Sequence, residues 1–303
     1  HELAYGLIEN ASGNYVIAGY TISNDGDITQ NNGNRDVWVF EISPTGDMIW
    51  QNSFGGSSDE GILSIQDTSD GGYLLAGYTA SSDGDVSINT GIQAAWLIKI
   101  NAIGNMVWEK TYGGSGVELF RTLNKHPNGG FIAAGVSTSS DGDVSVNNGS
   151  DDMWIVRIDE TGEIIWEKSL GGSNIEELTS LIINSDESYM VSGYTNSTDG
   201  DITSNNGNYD AWLVKLAADP LSISNFEEVN TFVYPNPVVD YFTINAFDTI
   251  QSVIIYDVFG KEIRKQFPNK NIENIQVGHL PTGTYFVKIK TERGVQIHKL
   301  IKK

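Results

Sequence analysis

Short runs in which apolar and polar positions alternate, each ended by Gly, Asn, Asp or Ser, fill the first two thirds of this chain. Within one stretch they cover 61–68, 73–79, 95–100 and 106–112. Alternation of period two, rich in β-branched and aromatic residues and bounded by turn formers, predicts strands. The connectors suit hairpins: Asp70-Gly71-Gly72, Asn128-Gly129-Gly130, Thr45-Gly46-Asp47 and Thr161-Gly162-Glu163 all place glycine where the turn needs positive φ. Four such strands in antiparallel order make one sheet.

The pattern returns without gaps at a step of 58 residues. Asp-Gly-Asp stands at 25–27, 83–85, 141–143 and 199–201, and the same step carries Trp38, Trp96, Trp154 and Trp212, then Trp50, Trp108 and Trp166. Gly19, Gly77, Gly135 and Gly193 form another column, as do Glu2, Glu60, Glu118 and Glu176. A constant step in several columns is an internal repeat. One four-stranded sheet cannot bury both of its faces, so the copies must stack, either as an open solenoid or around a ring. Radial stacking of blades of roughly 40–50 residues is the β-propeller solution, and 58 fits if one loop is long. The expected fold is therefore all-β: a β-propeller over 1–216, with blades 1–58, 59–116, 117–174 and 175–216, and tryptophans packed between blades.

The fourth strand, 48–54 and its relatives, occurs only three times. The strands suit a small four-bladed ring lacking one edge strand, or part of a larger ring. The second is expected, because residue 1 falls inside a repeat: His1-Glu2-Leu3 aligns with Val117-Glu118-Leu119, which reads as a mature fragment of a longer product, without start Met or signal peptide. The register ends at Leu216. Residues 217–231 read as a linker, and the runs at 241–245, 252–256, 283–290 and 296–301 predict a β-sandwich over 232–303.

Charge separates the two parts. The net charge is -21, and residues 1–225 carry 8 Lys+Arg against 31 Asp+Glu, whereas 226–303 carry 10 against 8. Such acidity repels phosphate backbones and anionic lipid surfaces, so no nucleic-acid partner is expected for the repeats. No stretch approaches the ~18 apolar residues of a transmembrane helix. The chain has no cysteine, which removes disulfides, thiolate nucleophiles and thiolate metal sites.

Candidate chemistry concentrates in the long polar loop between second and third strands, "SSDGDVSVNNGSDD" in the third copy. Loops longer than about 12 residues are usually functional or held by something, and one small apolar residue per copy (Ile28, Val86, Val144, Ile202) is little burial to hold it. Calcium is one candidate, taking about 6–8 hard oxygens. Its ligands would be Asp25, Asp27, Asn31 and Asp36; Asp141, Asp143, Asn147 and Asp152; Asp199, Asp201, Asn205 and Asp210; and, most weakly, Asp83 and Asp85 in the second copy, where Ala94 replaces the last Asp. The alternative is that Asp and Asn fold onto their own backbone as Asx-turns, with Gly33, Gly91, Gly149 and Gly207 supplying positive φ. A catalytic role fits poorly: paired carboxylates in glycosidases need one desolvated partner, while these loops are polar and fourfold redundant. His1, His126, His279 and His298 lie at no metal-ligand spacing, and the Gly55-Gly56-Ser57 column suits a crossover between blades better than a phosphate cradle. No catalytic residue is expected in the repeats. All four loops should emerge on one face, an acidic surface for multivalent contact.

Two resemblances add to this. The repeat GYT...DGD...DxWxxKI...GxxxWxKxxGGS resembles bacterial β-propeller repeats described as seven-bladed, which implies the fold and leaves the ligand open. The segments "VYPNPVVDYFTI", "IYDVFGKEI", "LPTGTYFVKI" and "HKLIKK", in that order, resemble the type A C-terminal sorting domain of the type IX secretion system. That resemblance implies export across the outer membrane by the type IX translocon, commonly followed by removal of the domain by a sortase-like protease. It implies signal elements at Tyr234, Pro235, Asn236, Pro237, Asp240, Gly260, Lys261, Gly283, Tyr285 and Lys299. The expected function is a secreted or cell-surface binding or adhesion protein that meets an extracellular glycan or protein ligand. The alternative is an extracellular hydrolase of glycans or peptides, with its catalytic part upstream or in residues that break the repeat, such as Arg121 or Asp151.

Overall fold

The computed structural model describes residues 1–28, 30–218, 231–258, 260–291 and 295–303, so most of the expected linker, 219–230, lies outside the described residues. The chain divides into two units, His1–Ala218 and Asp219–Lys303.

In the first unit every repeat folds as its alternation dictates. Blade one is β1 (Glu2–Glu9), β2 (Tyr15–Thr21), β3 (Asp36–Ile42) and β4 (Met48–Phe54), hydrogen-bonded in that order. Blade two repeats it with β5 (Glu60–Asp67), β6 (Tyr73–Thr79), β7 (Ala94–Ile100) and β8 (Met106–Tyr112). Blade three is β9 (Glu118–Lys125), β10 (Phe131–Ser137), β11 (Asp152–Ile158) and β12 (Ile164–Leu170), and blade four has β13 (Glu176–Ile183), β14 (Tyr189–Thr195) and β15 (Asp210–Leu216). The sheets are antiparallel throughout. One bulge recurs between first and second strands, at Ala4/Gly6 in blade one and Ile62/Ser64 in blade two. Opposite it sits the glycine column: a Cβ on Gly135 would lie 1.9 Å from the Leu119 carbonyl oxygen. Only glycine lets the two backbones come so close.

The cores lie between blades, and alternate residues of one strand serve successive cores. Trp96 and Ile98 of β7 pack with Val37 and Val39 of blade one, while Ala95 and Leu97 face Phe120 and Trp154 of blade three. Ile155 and Met153 then meet Leu178 and Leu181 of blade four. This explains why β7, β10 and β11 are buried along their whole length although the sheets are antiparallel. Each fully buried aliphatic side chain contributes ~2 kcal/mol. The outer tryptophans seat on the hairpin of the following blade, since a Cβ on Gly104 would stand 2.5 Å from the Trp50 ring.

The second unit is built on one long strand, β17 (Tyr241–Tyr256). Its first half pairs with β16 (Thr231–Tyr234) and β19 (Lys270–Gln276), and its second half with β18 (Glu262–Gln266) and β20 (Gly283–Thr291); β21 (Val295–Lys302) pairs β20 at the edge. The two halves enclose a core of Phe242, Ile244, Val253, Ile255, Val287 and Leu300. The alternation at 241–245 and 252–256 reads as two strands in sequence. They are one strand, because its ladder continues through the register shift between Asn245 and Ile250.

Candidate functional site

The antiparallel order places the loop between second and third strands at one end of every blade, and in blades one to three the crossover to the next blade lies at that same end. At this rim the loop residues find their partners. Asn31 Oδ1 accepts the Gly33 N–H at 3.0 Å, and the same Asx-turn recurs at Asn147–Gly149 (2.8 Å) and Asn205–Gly207 (2.9 Å). Asn89, the counterpart in the second copy, makes it too, with Gly91. Asp36 Oδ2 accepts the Asn32 N–H at 2.6 Å, Asp152 that of Asn148 at 2.7 Å, and Asp210 that of Asn206 at 2.6 Å.

The Asp-Gly-Asp motif works across the blade boundary. Asp83 Oδ1 accepts the N–H of Ser57 at 2.8 Å, and Asp85 Oδ2 that of Gly55 at 3.0 Å. Asp141 and Asp143 hold Ser115 and Gly113 of blade two in the same way, and Asp199 and Asp201 hold Ser173 and Gly171 of blade three. The motif is thus a latch on the crossover turn of the preceding blade. Val86, Val144 and Ile202 anchor each latch by side-chain burial. Among the described residues no donor reaches the carboxylates of Asp25 and Asp27, in blade one. The crossover itself is closed by the glutamate column: Glu60 accepts the Gly56 N–H at 2.8 Å, Glu118 that of Gly114 at 3.0 Å and Glu176 that of Gly172 at 2.7 Å.

The third-strand aspartates meet these glutamates in the interior. Asp36, Glu60, Asp152 and Glu176 are all fully buried, and no hydrogen bond reaches Oδ1 of Asp36 or of Asp152. Gly55 stands between the first two groups: its Cβ position lies 2.6 Å from Asp36 Oδ1 and 2.7 Å from a Glu60 oxygen. Burial pushes the Asp36 carboxyl up to about 6, helped by the Glu60 and Asp85 charges and opposed by the Asn32 N–H. Asp152 is raised to about 6 in the same way, by burial and by Glu176, Asp201 and Asp151. The junction between blades two and three lacks this pair, because Ala94 occupies the position.

Calcium takes converging oxygens; in the second to fourth copies the Asp-Gly-Asp carboxylates each accept a separate N–H group of the preceding blade, while those of Asp25 and Asp27 accept none among the described residues. Among the described residues no three acidic or histidine side chains group as a metal cluster. His126 is buried, with Nε2 2.9 Å from the Tyr189 hydroxyl, and Arg121 forms an ion pair with Glu177 across a blade boundary.

In the second unit the expected signal residues shape turns and one edge. Asn236 donates from Nδ2 to the Lys299 carbonyl (2.7 Å) and accepts the Ile301 N–H (2.9 Å), so its amide substitutes for a neighbouring strand along β21. Tyr234 ends β16 and is exposed; Pro235 and Pro237 flank Asn236, and both Tyr234–Pro235 and Asn236–Pro237 are cis. The Asp240 carbonyl accepts the Val277 N–H, and Gly260, at φ 80°, turns the chain before Lys261, whose N–H Asp257 accepts. Gly283 opens β20, Tyr285 is buried with its hydroxyl on the Pro281 carbonyl, and Lys299 lies in β21. Among the described residues no helix is long and apolar enough to cross a membrane.

Residues 232–303 match the secretion system C-terminal sorting domain family. No curated protein sequence matches the chain. Among solved structures, PorZ, an essential bacterial surface component of the type-IX secretion system of Porphyromonas gingivalis, is similar at 11% identity and a TM-score of 0.33, over 99% of this chain and 39% of that one. A Bombyx mori GH32 β-fructofuranosidase gives 11% identity and a TM-score of 0.34 over 99% of this chain and 74% of that one. The Synechocystis apocarotenoid oxygenase gives 13% and 0.33 over 95% and 66%. The chain spans about two fifths of the length of the PorZ structure. The sorting domain marks the protein as secreted or cell-surface cargo that meets the secretion machinery.

Proposed function

We propose that the repeat unit is a non-catalytic binding module, displayed or released outside the cell, whose acidic rim contacts an extracellular glycan or protein at several blades at once. The observation that carries this reading is the rim itself. Four copies of one polar loop, at a fixed step, stand at the same end of four sheets, and Asp-Gly-Asp recurs in each. Repeated weak contacts on a rigid frame add as avidity, so each blade needs only a small contribution. In the second to fourth copies the Asp-Gly-Asp carboxylates accept backbone N–H groups of the preceding blade, a structural use that supports the non-catalytic reading. In this reading the type IX translocon receives residues 232–303 and a sortase-like protease then removes them.

The test is retention of the purified protein on immobilised glycans and on intact cells, with product analysis of the same glycans. Retention that weakens with added salt and leaves the glycans intact supports the module. Hydrolysis of any glycan in the set would replace it with the hydrolase reading, and absence of both would leave a spacer.

A further inference from the structure

The junction between blades two and three departs from the repeat on its outer side. Between blades one and two the Asn52 amide donates across the boundary to the Gly104 carbonyl at 3.0 Å. One repeat later Lys110 stands in place of Asn52, and its ammonium turns to Glu163, the counterpart of Asn105. The Gly162 carbonyl, counterpart of Gly104, accepts the Tyr112 hydroxyl at 2.7 Å instead, a group that Phe54 and Leu170 lack. At the inner end Ala94 removes the carboxylate that Asp36 and Asp152 carry in other copies. Two adjoining hollows result, of about 380 and 280 Å³, which share Ile88, Thr111, Tyr112 and Asp143. The outer one reaches Lys110 and Glu163, and the inner one ends on Ala94.

The groups along this cleft suit hydroxyls. Asp143 gives Oδ2 to the Gly113 N–H and keeps Oδ1 without a donor among the described residues. Thr111 donates to the Ile88 carbonyl at 2.6 Å, which leaves its oxygen as an acceptor, and Lys110 has N–H groups beyond the one on Glu163. Ile88, 63% exposed, adds an apolar wall where Gln30 and Ser204 stand in other copies. A few placed polar groups beside an apolar wall make a small-molecule site. Asp143, Glu109 and Glu163 against one lysine give the cleft a net negative charge, which disfavours a ligand bearing carboxylate, sulfate or phosphate. A metal cation is not served either, because Glu109 is engaged by the Ser87 N–H and the Trp96 indole, and Glu163 by Lys110.

We propose that the cleft between blades two and three binds one uncharged sugar unit of an extracellular glycan, with its hydroxyls on Asp143, Thr111 and Lys110 and its ring against Ile88. This rests on the reading of the repeat unit as a binding module and narrows the ligand to a neutral glycan held at one junction.

The experiment titrates the purified full chain with cellotetraose, maltotetraose and chitotetraose, and with a galacturonic acid tetramer as the anionic control, and reads affinity and stoichiometry by calorimetry. One of the neutral sugars should bind at one per chain, and the galacturonate should not bind. Two variants carry residues that the repeat itself uses at the same positions, so both should fold: Ile88→Ser, as in the fourth copy, and Ala94→Asp, as in the other three. Each should weaken binding at least ~10-fold, while Val146→Ser, the same position one blade on, should leave it unchanged. Equal weakening by Ile88→Ser and Val146→Ser, or several sugars bound per chain, would overturn the cleft and leave the rim reading in place. Binding of the galacturonate alone, or of none of the four by a chain that is still retained on intact cells, would overturn the cleft without touching the binding module. Absence of retention on cells as well would remove both.

Discussion

The carboxylate of Asp83 in blade two accepts the backbone N–H of Ser57 in blade one at 2.8 Å, and the pair recurs as Asp141–Ser115 and Asp199–Ser173. A charged acceptor on a backbone donor fixes the crossover turn at the rim, where apolar burial is scarce, and a hydrogen bond of this kind contributes roughly 1 kcal/mol net. Asp141→Ala should therefore destabilise the repeat unit by about that amount, while Asp25→Ala, which has no crossover to hold, should be neutral within ~0.5 kcal/mol. Denaturant unfolding of the two variants beside the parent decides it. Equal effects would show that the motif acts only within its own loop.

The buried Asp36 and Asp152 carboxyls give the fold an unusual pH dependence. Their folded values, about 6, lie above the ordinary value of 3.8, so the folded state binds more protons than the unfolded one between pH 4 and 6. Stability from these two groups thus falls as pH rises through that window and stays low above it. Other carboxylates act in the opposite sense, such as Asp70, which the Thr68 hydroxyl and Lys99 hold below the usual range. A comparison with Asp36→Asn/Asp152→Asn isolates the pair. The double variant keeps an acceptor for the Asn32 and Asn148 N–H groups and gains an amide to face Glu60 and Glu176. It should be more stable than the parent at pH 8, by on the order of 2 kcal/mol or more, and the advantage should vanish near pH 4. An advantage that does not change with pH would refute the assignment.

How the loop is held also sets the response to calcium. With the Asp and Asn oxygens, those of Asp25 and Asp27 apart, largely engaged by Gly, Asn and Ser N–H groups, added calcium has few converging oxygens to recruit. Titration of metal-free protein should move the melting temperature by less than about 2 °C. A rise of several degrees, lost in Asp141→Asn/Asp143→Asn, would instead restore the ion as the source of order.

Much of this architecture is legible in the sequence because the repeat states each position four times. Strand positions, the tryptophan packing and the glycine column all follow from alternation and from a step of 58. The latch is not legible, since Asp83 and Asp85 look like a local cluster and their partners lie 26 and 30 residues earlier, in another blade. The role of the glutamate column had a signal that sequence reading passed over: a fixed four-residue offset from Gly56 to Glu60, Gly114 to Glu118 and Gly172 to Glu176. In the second unit the Pro-Asn-Pro segment is visible as a motif. Its contact with β21, more than 60 residues away, depends on how the sandwich closes.

That contact yields the last expectation. Asn236 satisfies one carbonyl and one N–H of β21, Val238 pairs in parallel with Lys302 beside it, and Lys303 donates to the Val238 carbonyl. The C-terminal strand, bearing the terminal "HKLIKK", is thereby held on a side that would otherwise be an open edge. Asn236→Ala removes both side-chain bonds without creating a clash, and should cost the sorting unit about 1–2 kcal/mol. Hydrogen exchange should then speed at Ile301 and Lys303 while β17 stays protected, and the cargo should reach the medium in smaller amount. Asn236→Asp separates geometry from recognition: it keeps the acceptor for the Ile301 N–H but loses the donor to Lys299. If export depends only on an ordered edge, secretion by the two variants should follow their exchange rates. Loss of secretion in a variant with parent-like exchange would mean that the machinery reads the Asn236 amide itself.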